Sequence, residues 1–320
     1  MKKKKRLRKK IKFILFLFFV CGLFFYYFSL NPEKREELLK KPFIISYIIK
    51  EQKRQKAINE CLASNEVPDI VRESLRELES NLNNYLVNYN IGFKYQEKTL
   101  DYELSYRSDT VFYGASLIKL VDADYLLDND IDLSLTKKYE NKHVMAYSSV
   151  VSKYKIGDEI SLNDLTNYAV SMSDNSAHLM LIDYIGFTKL QDYGKSLGGK
   201  VILQGGDLFG NQTADDMIIY LNKAYELINS KENGYLLKEA MLNTEVNYLN
   251  FDDVVFGHKY GSHSVYFHDV GILFSDNPYL IAVLTTSDNN KSVVTEISKK
   301  VYNIHNKLLA EKNNYCKNIE

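Results

Sequence analysis

Strand-like runs lie near both ends of the folded part of this chain, and a long helical block lies between them. Residues 91–95 (IGFKY) and 102–106 (YELSY) are short, rich in aromatic and apolar side chains and separated by a polar turn, the pattern of a hairpin. A third run at 110–113 leads into Gly114-Ala115-Ser116. From 117 to 228 the spacing turns helical, in the segments LIKLVDADYLL, SLNDLTNYAV, SAHLMLIDYIG, TKLQDYGKSL and TADDMIIYLNKAYELI. Strand character returns at 253–258, 259–266, 269–274 and 279–284. Helices flank this pattern: residues 68–89 carry Ile70, Val71, Leu75, Leu78, Leu82 and Leu86 in phase, and residues 292–310 carry Val294, Ile297, Val301, Ile304 and Leu308. A sheet with strands from both ends of a chain must set the intervening block aside as a lobe of its own. The expected fold class is therefore α+β with two lobes, an antiparallel sheet flanked by N- and C-terminal helices plus an inserted all-helical lobe. A cleft is expected where the lobes meet.

Charge separates the N-terminus from the rest. Of the 41 basic residues, nine fall within the first twelve positions, where there is no acid, so the remainder holds 32 basic against 41 acidic groups and is net −9. A nucleic-acid binder would carry its basic residues on the folded part, so no nucleic-acid partner is expected. Residues 13–30 (FILFLFFVCGLFFYYFSL) contain no charge, enough for a short membrane-spanning helix. This segment ends in aromatic residues with no small-residue cleavage site, which predicts a retained signal anchor rather than a cleaved leader. With the basic block inside, the remainder is expected on the extracytoplasmic side of the cell membrane as a single-pass protein. The expected domains are residues 1–30 as basic N-terminus and anchor, 31–67 as a charged helical stalk, 68–310 as the main folded domain and 311–320 as a polar tail. Of the three cysteines, Cys21, Cys61 and Cys316, at most one pair lies outside the bilayer, so no disulfide framework is expected. Six scattered histidines without ligand-like spacing give no metal site and no cofactor.

Three short motifs carry candidate chemistry, each weak by itself. Ser116-Leu117-Ile118-Lys119 sits where a strand gives way to a helix, which puts an amine one turn from a hydroxyl on the same helical face. A lysine kept neutral can take the serine proton, and backbone N–H groups at a helix start face a developing oxyanion. The same spacing recurs at Ser134/Lys137 and Ser152/Lys155. Ser173-Asp174-Asn175 lies between two helical segments, while its copies at 275–277 and 287–289 read as turns. Lys259-Tyr260-Gly261 opens a strand, with a decoy at Lys155-Ile156-Gly157.

Order and context supply the specificity that each motif lacks: S-x-x-K at a strand-to-helix switch, S-D-N in the helical block, K-x-G on a returning strand. The set resembles the signature of class A β-lactamases and penicillin-binding proteins. The stretches FYGASLIKL, SMSDNSAHLMLIDYIG, KLQDYGKSLGG and HKYGSHSVYFHDVGILFSDNPYLIAVLT are similar to the matching parts of that serine-hydrolase family, from about residue 68 to 310. The resemblance implies that Ser116 attacks the acyl carbon, Lys119 helps to remove its proton, and Ser173 relays a proton to the leaving nitrogen. It further implies that Asn175 binds the acyl amide, that Lys259, Gly261 and Ser262 form the substrate strand, and that the N–H groups of Ser116 and Ser262 make the oxyanion hole. Lys259 would give positive charge to Ser173 and to a substrate carboxylate. The implied partner is a β-lactam or a D-alanyl-D-alanine-type peptide, handled by a monomer.

Two departures leave the activity open. No glutamate occurs between Glu159 and Glu226, so the usual base that activates the deacylating water has no counterpart, and Asp207 is the remaining candidate base. Tyr260 replaces the usual threonine of the third motif. His263 alternates onto the face of Lys259 and Gly261 and is either a site residue or part of a solvated strand face, while His178 and His268 read as structural. The alternatives are a β-lactamase, a D-alanyl-D-alanine peptidase of the cell wall, a slowly deacylating penicillin sensor, and a degenerate scaffold that only binds wall polymers.

Overall fold

The computed structural model describes residues 32, 34, 42–203, 206–286 and 290–319. The expected anchor at 13–30 lies outside them, as does the S-D-N copy at 287–289. Among the described residues no helix is long and apolar enough to cross a membrane. The chain divides into two compact units, one of them spanning residues 65–313. The smaller contains α1 (Pro42–Ala63) and the chain's last residues. Within it Cys61 and Cys316 form a disulfide with Cα atoms 5.5 Å apart, and Arg54 Nε donates to the Ile319 carbonyl at 2.9 Å.

In the larger unit, α2 (Asp69–Leu86) precedes the hairpin β1 (Ile91–Glu97) and β2 (Glu103–Tyr106). The short β3 (Phe112–Tyr113) leads through a one-turn 3-10 helix (Ala115–Ile118) into α3 (Lys119–Asp128). The helical lobe follows: β4 (Thr136–Lys138), α4 (Val150–Lys153), β5 (Glu159–Ser161), α5 (Leu162–Ser171), α6 (Asn175–Ile185), α7 (Phe187–Ser196), β6 (Asn211–Gln212), α8 (Ala214–Ser230) and α9 (Gly234–Leu242). Strands β7 (Gly257–His263), β8 (Tyr266–Leu273) and β9 (Tyr279–Thr285) and the long α10 (Asn290–Lys317) complete the chain.

The main sheet has the order β2-β1-β9-β8-β7 and every pairing in it is antiparallel. The two ends of the domain meet at its centre, where β1 pairs with β9 from Ile91↔Thr285 to Glu97↔Tyr279. Every residue of β9 is buried because alternate side chains serve two cores. Tyr279, Ile281 and Val283 face α2 and α10, packing with Leu75, Leu82, Ile297 and Val301. Leu280, Ala282 and Leu284 face the helical lobe, with Leu117, Val121, Met217 and Leu221.

Several expected bounds shift. The runs at 253–258 and 259–266 are one strand, Gly257–His263, because the backbone turns at Asp252 and Ser264, both at positive φ, on either side of it. Ile70 is 63% exposed rather than part of the apolar stripe of α2, which Val71, Leu75, Leu82 and Leu86 form without it. Residues 311–317, expected as a polar tail, continue α10 as far as the disulfide.

Two buried groups make stability depend on pH. In β8 His268 donates from Nε2 to the Tyr113 carbonyl (2.8 Å) and accepts at Nδ1 from the Thr285 N–H (3.0 Å), which fixes the neutral ring and ties the sheet to the segment before Ser116. Burial lowers its pKa to about 4 from 6.5. A depressed histidine contributes stability that is present above 6.5 and lost as pH falls through 4, on the order of 3 kcal/mol. His268→Leu is expected to be less stable than the parent in urea at pH 7 and to lose less on acidification to pH 4; parallel pH profiles would refute this. Asp124, in α3, has both carboxylate oxygens buried without a partner among the described residues. Burial raises its pKa well above the ordinary carboxylate value, so its contribution is full below that value and lost as pH rises. Asp124→Asn is expected to raise Tm at pH 8, by about 1–3 kcal/mol in stability, with the gain shrinking towards pH 4. A gain that does not vary with pH would show that this carboxyl is not the titrating group.

Candidate active site

The 3-10 turn at Ala115–Ile118 places Ser116 and Lys119 on adjoining turns because α3 begins at Lys119 itself. Ala115 sits at φ +48, a conformation that non-glycine residues rarely adopt, and so redirects the chain as it leaves β3. Lys119 Nζ donates to Ser116 Oγ at 2.9 Å. It also reaches the Ser173 carbonyl at 2.5 Å, Asn175 Oδ1 at 2.7 Å and Ser173 Oγ at 3.4 Å. The amine is fully buried, and burial lowers its pKa to about 7 against the opposing charges of Asp122 and Asp174.

Ser173 also has positive φ, +54, at the bend between α5 and α6. The next residue, Asp174, caps α6 by accepting from the Ala177 N–H at 2.8 Å. Its second oxygen accepts from the Val150 N–H at 2.8 Å, and Ser148 Oγ bonds to the same carboxylate at 2.9 Å. Asn175 Nδ2 holds the Ala146 carbonyl at 2.9 Å. The S-D-N tripeptide thus fixes the 146–150 segment that forms one wall of the cleft. Its copy at 275–277 is a turn, closed by Ser275 Oγ on the Asn277 carbonyl.

Strand β7 forms the opposite wall. Lys259 is fully buried and donates to Ser173 Oγ at 2.9 Å and to the Tyr260 carbonyl at 2.7 Å. Burial first, and then the charge of Lys119, push its amine well below the ordinary lysine value, with Asp269 acting the other way. Near neutral pH the two amines therefore hold less than two positive charges between them, since Lys119 is partly neutral there. Gly261 is where β7 passes the nucleophile turn: a Cβ there would lie 2.8 Å from the Gly114 carbonyl oxygen. Beneath it, Asp269 accepts from His258 Nδ1 (2.8 Å) and from the Tyr248 and Leu249 N–H groups, securing β7 to β8 and the preceding loop.

The cleft between these walls has a volume of about 1010 Å³ and is lined by Ser116, Ser173, Asn175, Tyr260 and Ser262. The structure brings Ser116, Lys119, Ser173, Asn175 and Lys259 into one hydrogen-bonded cluster, with Gly261 and Ser262 on the adjoining strand. Asp207 stands apart: it is exposed, its Oδ1 accepts the Phe209 N–H at 2.9 Å in a local turn, and its charge acts on Tyr113. His263 lines the cleft with its ring centroid 5.4 Å from that of Tyr113. Sequence reasoning missed Phe209 and Glu245, which also line the cleft. Neither belongs to a motif. The ring of Phe209 lies 5.6 Å from Lys119 Nζ.

The S-x-x-K decoys have other partners. Ser134 closes a turn on Asp132, Lys137 pairs with Asp183 at 2.6 Å, and Ser152 bonds the Ser149 carbonyl. Glu140, His143 and Asp183 approach closely enough to suggest a cation site. However, Lys137 and Lys142 occupy the Asp183 carboxylate, and His143 Nδ1 accepts the Glu140 N–H, which leaves Nε2 a donor to Asp183 rather than a ligand.

The family model of the β-lactamase enzyme family matches residues 72–305. Among solved structures, TLA-1 extended-spectrum β-lactamase superposes with a TM-score of 0.63 at 21% identity, over 72% of this chain and 98% of its own. A class A β-lactamase from Bacteroides cellulosilyticus DSM 14838 gives 0.61 at 23%, over 72% and 98%. A PBP-A mutant, described as an acyl-enzyme complex with penicillin G, gives 0.63 at 16%, over 73% and 96%. At such identities these structures establish the shared fold, and the family match adds the rest. The chain belongs to the β-lactamase enzyme family and is a serine hydrolase.

Proposed function

We propose that this protein is acylated at Ser116 by β-lactams and releases the opened product slowly, acting outside the cell from a membrane anchor. The observation that carries the acylation step is the single amine, Lys119 Nζ, within hydrogen-bond reach of Ser116 Oγ and buried enough to be partly neutral at pH 7. In this reading Lys119 takes the Ser116 proton as Oγ bonds the lactam carbonyl carbon. The N–H groups of Ser116 and Ser262 receive the oxyanion. When the C–N bond breaks, the proton passes from Lys119 through Ser173 Oγ to the leaving nitrogen, with Lys259 donating to Ser173. Asn175 orients the acyl amide. The ester at Ser116 then awaits water.

Slow release is favoured over rapid β-lactamase turnover by the position of Asp207, which is engaged in its own turn and is not part of the cleft lining, and by Phe209, which is. A peptidase acting on D-alanyl-D-alanine ends would use the same five polar side chains. The PBP-A relative, reported as a penicillin G acyl-enzyme, supports acylation as the shared step. The external location is supported by the basic block followed by the uncharged stretch at 13–30, and by the Cys61–Cys316 disulfide, a bond that persists in oxidising compartments. We further propose that it acts as a monomer.

Intact-mass spectrometry of the full chain in detergent with penicillin G tests this directly. A mass increase equal to the intact drug, persisting for many minutes and absent in Ser116→Ala, is the expected result. An adduct that vanishes while hydrolysed drug accumulates would make the protein a turnover β-lactamase, and an adduct retained in Ser116→Ala would remove Ser116 as nucleophile. The acylation rate should rise with pH through about 7 and then level, because the neutral amine of Lys119 is the active form. Lys119→Ala should reduce the rate by about 100-fold or more, and a rate that is flat from pH 5 to 9 would exclude Lys119 as the base.

A further inference from the structure

The mechanism above leaves unused a buried histidine–carboxyl pair beside it. Asp122 lies one turn beyond Lys119 on α3, and His178 lies on α6, three residues beyond Asn175; both are wholly buried. His178 Nδ1 is 2.5 Å from Asp122 Oδ2, and its Nε2 is 3.1 Å from the Leu208 carbonyl oxygen. The ring thus bridges the two groups, with one hydrogen shared between Nδ1 and the Asp122 carboxyl and another on Nε2 donated to the Leu208 carbonyl. The ring centroid is 5.3 Å from that of Phe209. Phe209 in turn lines the cleft and sits 5.6 Å from Lys119 Nζ. The connection closes on itself, from α3 through α6 to the segment before β6 and back to the amine on α3.

A histidine that merely filled space would have no reason to bring a carboxyl group with it, since burying polar groups costs hydration. Here the cost fixes one place, the short loop that carries Phe209. We propose that Asp122 and His178 are positioning residues that clamp the Leu208-Phe209 segment, making Phe209 a fixed apolar cover that keeps water from Lys119 and from one approach to the acyl carbon. The part concerning the acyl carbon rests on the function proposed above; the part concerning Lys119 does not. The charged groups acting on Lys119 are Asp122 and Asp174, which favour its ammonium, and Lys259, which opposes it.

The test is a pH titration of Lys119 in the full chain by carbon-13 NMR of labelled lysine side chains, the resonance being identified by its loss in Lys119→Met. Phe209→Ala, at a half-exposed position, should let water reach the amine and move its midpoint to higher pH. His178→Phe should move it the same way, since the loop is released and Asp122 is left as an uncompensated charge. His178→Gln, which keeps two N–H donors, should stay near the parent. Asp122→Asn removes that charge and should give a lower midpoint than His178→Phe. Parent-like midpoints in both Phe209→Ala and a folded His178→Phe would overturn the proposal; if His178→Phe does not fold, Phe209→Ala and His178→Gln decide it. In parallel, the penicillin adduct of Phe209→Ala should be lost several-fold faster than that of the parent, and an equal lifetime would refute the cover over the acyl carbon. A parent protein that forms no adduct would defeat the functional reading, while the lysine titration would still decide the clamp.

Discussion

A lysine amine withdrawn from water is stable only if its hydrogens are met and its charge is reduced, and the cleft of this protein is organised around that requirement at Lys119. Its four oxygen contacts come from Ser116, Ser173 and Asn175, on two segments that approach each other only because α3 and α6 pack in one core. Ser173 adopts a left-handed backbone conformation in doing so. The local cost is outweighed by Asp174, whose carboxylate binds two backbone N–H groups and a hydroxyl around the same bend. The strain and its compensation occupy adjacent residues, so the bend is a built feature of the site.

The second buried amine follows from the sheet. Lys259 can enter the cluster because β7 runs beside the nucleophile turn, and it can run so close because Gly261 has no side chain there. β7 is held in turn by β8, and β8 by β9, whose two faces divide between the two cores. His268 then fastens β8 to the Tyr113 carbonyl, three residues from Ser116. The pairing of β1 with β9 thereby fixes the distance between Ser116 and Lys259, groups 143 positions apart in the chain.

The two-lobed α+β plan was legible because periodicity changes twice along the chain, and the main helices and strands fall where it changes. The motif residues were legible for a different reason: Ser116, Lys119, Ser173 and Lys259 are paired with one another, and chemistry restricts which residue types can make such pairs. Single copies were not diagnostic. Ser134 and Lys137 have the same spacing as Ser116 and Lys119, yet they serve a turn and an ion pair. Strand limits near 253–266 differ from the expected ones since a mixed polar and aromatic run does not reveal where the backbone turns, and Asp252 and Ser264 carry no mark of their positive φ in their identity. Phe209 was invisible for the same kind of reason: nothing local distinguishes a phenylalanine that lies beside the Lys119 amine from one of the fifteen others.

Phe209 also bears on the slow release proposed for this site. Deacylation needs a base that is close to the ester and a polar place to hold water, whereas acylation needs only an amine that is neutral often enough to take one proton. If the Phe209 ring excludes water as proposed, it favours the second condition and works against the first, because it takes hydration from the same side of the cleft. Adding a carboxylate at Asp207 does not reverse the balance while that group remains in its own turn with the Phe209 N–H. In the proposed function, acylation and slow release both follow from one burial, and a change that opens the site to water is expected to weaken the base as it helps the hydrolysis.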